Sequence, residues 1–319
     1  VDGVERIVKA LITGASGFVG SHLVDYLTTH TDYELFGTSL TEESDTSQIT
    51  WHTIDLRDVG AVQSMITEIK PDFLFHLAGQ AFVPASFTDP WDTLENNIKS
   101  QVNLLESIRK LDLPCRVLVV SSAHVYGKIA PEENPVNESQ PFRPDSPYSV
   151  SKVSQDMLAL QYHLAYQMPI IRARAFNHIG PRQSPRFALP DFAGQIAAAE
   201  VGKHEPIIRV GNLNAERDFT DVRDVVRAYH LMLTEGNAGE AYNVCRGEAF
   251  SIRKLLDKLC EQSSVELTIQ LDKERIRPLD VPRVVGDSSK LRQDTAWHPT
   301  LEIQQSLTDI LDYSRQLRK

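Results

Sequence analysis

Along the first half of the chain, short apolar runs alternate with stretches whose apolar residues recur at helical spacing. The runs VKALI (8–12), YELFG (33–37), WHTID (51–55), DFLFHLA (72–78), RVLVVSS (116–122) and PIIRARA (169–175) read as strands. Between them, 61–69, 92–111 and 151–167 carry the helical period. Parallel strands covered on both faces read as nearly continuous apolar runs, and these do. The pattern therefore predicts an α/β fold built on a doubly wound parallel sheet. After Phe176 the texture changes to loops rich in Pro, Arg, Asn and Gly, such as NHIGPRQSPRF, broken by helical patterns near 187–200, 222–233, 251–261 and 303–317. This predicts a sheet domain over 1–176 and a smaller C-terminal α/β lobe over 177–319, with segments of the two interleaved.

Composition narrows the partners. A chain of 319 residues can bury a large core, and its net charge of −10 argues against nucleic acid and acidic membrane surfaces, which need basic faces. An anionic ligand must be held by local groups. The cysteines, Cys115, Cys245 and Cys260, are odd in number and widely spaced, so neither a disulfide framework nor a metal site is predicted. A reducing cytoplasm is the expected compartment. No apolar run approaches the roughly 18 residues of a membrane span, and VDGVERIVKA lacks the apolar core of a secretory leader. The Pro-rich, acidic stretch 128–147 sits between a strand and a helix, which predicts an active-site surface loop rather than a linker.

The first chemical signal follows the first strand. VKALI runs into TGASGFVGSHL, with Gly14, Gly17 and Gly20 at three-residue spacing. Glycines there permit a tight turn and close approach of a pyrophosphate to backbone N–H groups at a helix N-terminus. A ligand-free glycine turn has the same local pattern, but its place ahead of a βαβ alternation favours the nucleotide.

The second signal is YSVSK. Tyr148 and Lys152 are four apart on a predicted helix and share a face. A nearby cation favours the phenolate and lowers the phenol's pKa, as proton transfer to an alcohol oxygen requires. Alone the pair is a chance pattern; with Ser122 at a strand end and the glycine turn upstream it reads as chemistry.

Together, TGxxGFxGxxL (Thr13, Gly14, Gly17, Phe18, Gly20, Leu23) and YxxxK resemble the extended short-chain dehydrogenases/reductases, nucleotide-sugar branch, whose Rossmann-type sheet fits the pattern above. The resemblance implies catalytic roles for Ser122 (orienting the reacting oxygen), Tyr148 (acid/base) and Lys152 (holding the nicotinamide ribose and tuning Tyr148). It implies cofactor contacts at Gly14, Ser16, Gly17, Phe18 and Val19, at Asp55 and Leu56 beside the adenine, and at Leu77, Ala78 and Gly79 beside the ribose; Asn97 matches a residue steadying the sheet. The second strand ends in Gly37, Thr38, Ser39 and Leu40, without the carboxylate that binds an NAD ribose and without an Arg. NADP(H) is therefore favoured, with Thr38 and Ser39 as phosphate donors, and NAD(H) is the alternative.

The flanks of the triad point to the reaction. Dehydratases of this branch carry an acidic residue directly after the catalytic Ser/Thr; here Ala123 and His124 stand there. Ketone reduction, or epimerisation by oxidation and re-reduction, needs only the triad and cofactor. FNHIGP, containing Asn177, is similar to the GDP-4-keto-6-deoxy-mannose reductases. The resemblance further places Val83, His124, Asn177, Val210, Arg217, Arg277 and Asp280 against a GDP-linked sugar, the arginines neutralising its diphosphate through bidentate contacts. The plainer reading of Arg217 and Arg277 is ion pairing with Asp218, Asp221 or Asp280. His76 and His178 read as structural histidines, since no HxxxH or HExxH spacing occurs. The resemblance also implies a homodimer through a four-helix bundle made by the helices carrying Leu104, Leu105 and Ile108 and Met157, Leu158 and Leu160, residues that also suit a plain core. The expected reaction is reduction of GDP-4-keto-6-deoxy-D-mannose to GDP-D-rhamnose or its C4 epimer, with a nucleotide-sugar 4-epimerase or 4,6-dehydratase as the alternative.

Overall fold

Buried parallel strands set the frame. A computed structural model describes residues 6–41, 48–275 and 282–318. It opens with β1 (Lys9–Thr13), α1 (Phe18–His30), β2 (Glu34–Ser39), β3 (Thr50–Thr53), α2 (Val59–Ile69), β4 (Phe73–His76), α3 (Val83–Thr88) and α4 (Pro90–Lys110). β5 (Arg116–Val120) then leads through a long loop to α5 (Pro147–Tyr166), β6 (Ile170–Ala175) and β7 (Asn177–Ile179). The second half contains α6 (Ala188–Glu200), β8 (Ile207–Val210), β9 (Glu216–Asp221), α7 (Val222–Thr234), β10 (Ala241–Val244) and β11 (Ala249–Ser251). It closes with α8 (Ile252–Cys260), β12 (Thr268–Leu271), β13 (Arg283–Val284), α9 (Ser289–Thr295) and α10 (Ile303–Gln316).

The main sheet has seven strands in the order β10-β6-β5-β4-β1-β2-β3, and every pairing in it is parallel. Each expected strand of the first half is present. The seventh, β10, comes from beyond residue 176 and pairs with β6 in the register Ala241↔Arg172. Its four residues, AYNV, are too short and too mixed to stand out as a run. Helix α7 also covers the main sheet: Val225, Tyr229 and Met232 pack in one cluster with Leu23 and Leu27 of α1. On the opposite face Val62, Ile66, Leu104, Leu105, Ile108 and Tyr162 from α2, α4 and α5 cover Leu11, Leu74 and Val117. Burying each such Leu or Ile contributes about 1.5–3 kcal/mol, so the two helix layers supply most of what fixes the sheet.

Leu104, Leu105 and Ile108 are thus spent inside the subunit, whereas Met157 remains 38% exposed. The smaller lobe has its own core, in which Leu189 and Phe192 of α6, Leu255 and Leu259 of α8, and Leu307 and Leu311 of α10 meet Ile208 and Phe219. There β9 is the hub, pairing with β7, β11 and β13.

Helix starts follow cap chemistry. α5 begins at Pro147, four residues earlier than the apolar period indicated, because Ser146 accepts the Ser149 N–H at 3.1 Å and proline suits the first helical position. This earlier start places Tyr148 in the first turn. Asp89 likewise caps α4, accepting the Asp92 N–H at 3.0 Å.

Candidate active site

The carboxyl ends of β1, β4 and β5 gather the sequence-predicted residues. At the end of β1, Gly14 has φ of +67°, and a Cβ on it would stand 3.0 Å from Ala78 Cα. Glycine is needed here because the loop after β4 passes directly over the turn. A Cβ on Gly20 would meet the Gly14 carbonyl oxygen at 2.1 Å, so this position lets α1 close onto the strand. No side chain caps α1 at Gly17. The first-turn amides of α1, those of Phe18 and Val19 among them, therefore have no side-chain cap, and a helix N-terminus of this kind suits a pyrophosphate. Thr13 stitches the loop after β4 into place: its hydroxyl accepts the Leu77 and Ala78 N–H groups at 3.2 and 3.1 Å. It also bonds His76 Nδ1 at 2.9 Å. Burial pushes the His76 imidazole down to about 3, so this side chain is a neutral internal strut.

Ser16, Ser39 and Thr41 converge beside the turn. Ser16 donates to Ser39 Oγ at 3.2 Å, and the Thr41 N–H reaches the same oxygen at 3.2 Å. Thr38 is only 2% exposed and accepts the Gly14 N–H at 3.2 Å, so its hydroxyl is a support beneath the turn rather than part of its open mouth. Asp55 is held by Arg57, whose guanidinium donates to its carboxylate at 2.8 and 3.0 Å; these bonds lower the Asp55 pKa. Leu56 is buried beside it.

The catalytic candidates lie between β5 and α5. Ser122, Tyr148 and Lys152 are 6%, 7% and 6% exposed. Lys152 donates to the Val120 carbonyl at 2.8 Å, and its nitrogen lies 6.0 Å from the Tyr148 ring centre. Burial pushes the Tyr148 phenol above its ordinary value, the Ser122 hydroxyl acting in the opposite direction. The sequence predicts a phenol lowered by Lys152. Here desolvation prevails, because an enclosed phenolate loses more hydration than Ser122 returns. Enclosure thus favours the protonated form of the Tyr148 phenol. Burial also pushes Lys152 down to about 8.

Asn97 ties the parts together. Its Oδ1 accepts the Gln80 N–H at 2.7 Å, and its amide donates to Ser151 Oγ at 2.9 Å. A Cβ on Gly79 would stand 2.9 Å from Asn97 Oδ1, so the loop after β4 lies directly on α4. His124 sits in the turn after Ser122, its ring edge-on to Tyr148 at 5.7 Å. His178 stacks on Phe18 at 5.9 Å and bonds the Phe176 carbonyl.

On the substrate side, Val83 opens α3 and Val210 ends β8, 2% exposed. Asn177 lies on β7, its amide 3.5 Å from the Asp218 carbonyl. Arg217, on β9, donates to the Glu216 carbonyl at 2.9 Å. Asp221 is engaged by Arg223 at 2.8 Å. Arg277 and Asp280 lie outside the described residues. Unforeseen is the meeting of Phe82 with Phe187 at 5.9 Å and with the Arg186 guanidinium at 5.7 Å; Phe82 and Arg186 line a cavity of about 400 Å³ with Gln80, Asp89 and Asp92. Residues a hundred positions apart leave no spacing signal for such a contact. No helix among the described residues is long and apolar enough to cross a membrane, and none of their side chains form a metal-binding group.

A glycine turn fitted for a pyrophosphate, facing a buried Ser-Tyr-Lys set over a parallel sheet, defines a nicotinamide-dependent oxidoreductase of the short-chain dehydrogenase/reductase class. The chain belongs to the GDP-mannose 4,6 dehydratase family, whose model matches residues 11–310. It is 37% identical to a GDP-6-deoxy-D-mannose reductase of Pseudomonas aeruginosa over 98% of this chain and 99% of that protein. It is 31% identical to a GDP-6-deoxy-D-talose 4-dehydrogenase of Aggregatibacter actinomycetemcomitans, over 89% of this chain and 90% of the relative. The solved structure of RMD from Pseudomonas aeruginosa complexed with NADPH superposes with a TM-score of 0.86 at 35% identity, covering 97% of this chain and 99% of that one.

Proposed function

We propose that this enzyme reduces the C4 ketone of GDP-4-keto-6-deoxy-D-mannose with NADPH, giving GDP-D-rhamnose. The observation that carries the reading is the pair Ala123–His124 directly after Ser122, with the His124 ring edge-on to Tyr148. Elimination of water needs a second acid and base at those positions. Carbonyl reduction needs one proton donor and an orienting hydroxyl, which are the groups provided. The likeness to the Pseudomonas reductase supports the same choice.

When bound, the nicotinamide supplies the hydride. Ser122 holds the sugar O4, Tyr148 gives it a proton through its phenol, and the Lys152 ammonium favours the resulting phenolate. The first-turn amides of α1 hold the pyrophosphate, and Ser16, Ser39 and Thr41 offer hydroxyls to a 2′-phosphate. Asn177, Arg217 and Arg277 orient the GDP-sugar, with Val83, His124, Val210 and Asp280 as further substrate contacts. Reduction from the other face of the ring would give the C4 epimer, a reading favoured by the likeness to the GDP-6-deoxy-D-talose enzyme.

The same reading includes a homodimer through α4 and α5, supported by Val150, Met157 and Leu164, which are 43%, 38% and 65% exposed on α5. It also includes a cytoplasmic setting, in keeping with three free thiols. The test is incubation with GDP-4-keto-6-deoxy-D-mannose and NADPH, following loss of NADPH absorbance and resolving the products by NMR. Stoichiometric oxidation of NADPH with one 6-deoxyhexose product supports the reading. Turnover of a nucleotide sugar without external reductant overturns it in favour of an epimerase or dehydratase.

A further inference from the structure

The segment that begins with Asn177 on β7 and runs on toward α6 has its footing on α1. Phe18, His22 and Asp25 stand at i, i+4 and i+7, which is one face of that helix. Each of them meets the segment. The Phe18 ring stacks on His178 at 5.9 Å, the planes inclined by 16°. His22 Nε2 lies 2.9 Å from the Pro181 carbonyl oxygen, and Asp25 pairs with Arg182 at 2.7 Å. Gly180 lets the segment approach: a Cβ there would stand 2.5 Å from Val222 Cγ1 and 3.7 Å from the Phe18 ring.

Ordinary helix packing asks for none of this. His22 is 7% exposed, and burial lowers its pKa, which favours the neutral ring. A carbonyl only accepts, so Nε2 carries the hydrogen and donates it to Pro181. Arg182 has φ of +69°, a left-handed backbone that a residue with a Cβ seldom adopts, and its guanidinium is turned to Asp25. Gln183 completes the turn by donating to the His178 carbonyl at 3.0 Å.

We propose that His22 and Arg182 are positioning residues that dock the Asn177 segment on the cofactor helix, so that NADPH and the GDP-sugar each tighten the binding of the other. Phe18 belongs to the first turn of α1, where the pyrophosphate is placed. A ligand that steadies this turn also steadies His178 on the Phe18 ring, and with it the neighbouring Asn177. The second ligand then loses less freedom on binding, and linkage makes the gain equal in both directions.

The inference rests on the NADPH and GDP-sugar sites given above, and the experiment separates the two. GDP-mannose is the probe, because it has no C4 ketone to reduce, and its affinity is measured by calorimetry with and without saturating NADPH. In the wild type, NADPH is expected to tighten it by about fivefold or more. His22→Leu and Arg182→Gln should lose most of that gain, with KM for the keto-sugar raised and kcat retained. His22→Gln, whose amide can donate to the same carbonyl, should keep it. Asp25→Arg should lose the gain and its combination with Arg182→Asp should restore it, a rescue that also decides the matter if His22→Leu fails to fold. An undiminished gain in folded His22→Leu and Arg182→Gln, or equal affinities with and without NADPH in the wild type, overturns the docking role alone. Failure of the wild type to bind GDP-mannose overturns the GDP-sugar reading and the coupling with it.

Discussion

Lys152 reaches the carbonyl of Val120 at 2.8 Å, so the ammonium is moored to the last residue of β5 and not to the Tyr148 phenol. Ser122 lies two residues beyond that carbonyl, and Ser121 donates to the Lys152 carbonyl at 3.2 Å. The end of β5 and the first turns of α5 are therefore bolted to each other in both directions. The distance between hydroxyl, phenol and ammonium is set by backbone, which keeps its geometry without help from the ligand.

Replacing Tyr148 by Phe removes the proposed proton donor and leaves the ring packing against His124. The kcat for ketone reduction is expected to fall by about 10²- to 10⁴-fold, with GDP and NADPH affinities retained. Steady-state kinetics alongside calorimetry checks this, and near-normal turnover would exclude Tyr148 as the acid.

Lys152 gives a pH prediction with two opposite signs. Its pKa is pushed down to about 8 by burial. Between about 8 and the ordinary lysine value, the folded chain holds fewer protons at this residue than the unfolded chain. This group therefore favours folding more as pH rises through that window, while the ammonium proposed to favour the phenolate is lost. We expect kcat/KM to decline above about pH 8 without a parallel fall in the contribution of Lys152 to Tm. Measuring both in one buffer series, with Lys152→Met as the stability reference, tests the pair of trends.

Asp156 lies one helical turn beyond Lys152 and is fully buried, meeting Arg172 at 2.8 Å and Arg174 at 2.8 Å. Those arginines alternate with apolar residues on β6, so the pair fastens the catalytic helix to the sheet. Asp156→Asn leaves two enclosed guanidinium groups without their counter-charge and is expected to destabilise the fold by about 3–5 kcal/mol. Urea denaturation followed by circular dichroism measures it; a loss below about 1 kcal/mol would show that the pair is solvated in solution.

Gly20→Ala places a methyl where the Gly14 carbonyl already stands. The overpacking costs about 1–3 kcal/mol and is taken up by the glycine turn, so NADPH affinity is expected to drop by about tenfold or more. GDP affinity should be unaffected, a contrast that fluorescence titration of the two ligands resolves.

Leu164→Asp puts a charge on the exposed apolar face of α5. If that face joins two copies, the variant runs at monomer mass in light scattering while the wild type runs at dimer mass. Identical masses for the two proteins would remove α5 from the interface.

The sequence shows its architecture unevenly. β1, β2, β4, β5 and β6 are legible because burial on both faces demands unbroken apolar runs. β7 and β9 are not, since NHI and ERDFTD take their place from pairing with each other rather than from their own hydropathy. Ser122, Tyr148 and Lys152 are legible because spacing on a strand end and a helix face fixes where they point. The raised phenol is not, because burial arises from loops assembled around it. Thr38 shows the same limit: its hydroxyl reads as a ligand donor, yet the fold places it under Gly14. His22 is hidden for a related reason, as its partner is a backbone carbonyl, which any sequence possesses.

The late arrival of β10 has a consequence for synthesis. A ribosome that has released only residues 1–176 has delivered the glycine turn and the catalytic helix, but β6 is then a bare sheet edge and the face of α1 later covered by α7 is open. Such an edge invites pairing with another nascent chain. The sheet is complete only when residue 244 emerges, so it is finished after β7, α6, β8, β9 and α7 have been made.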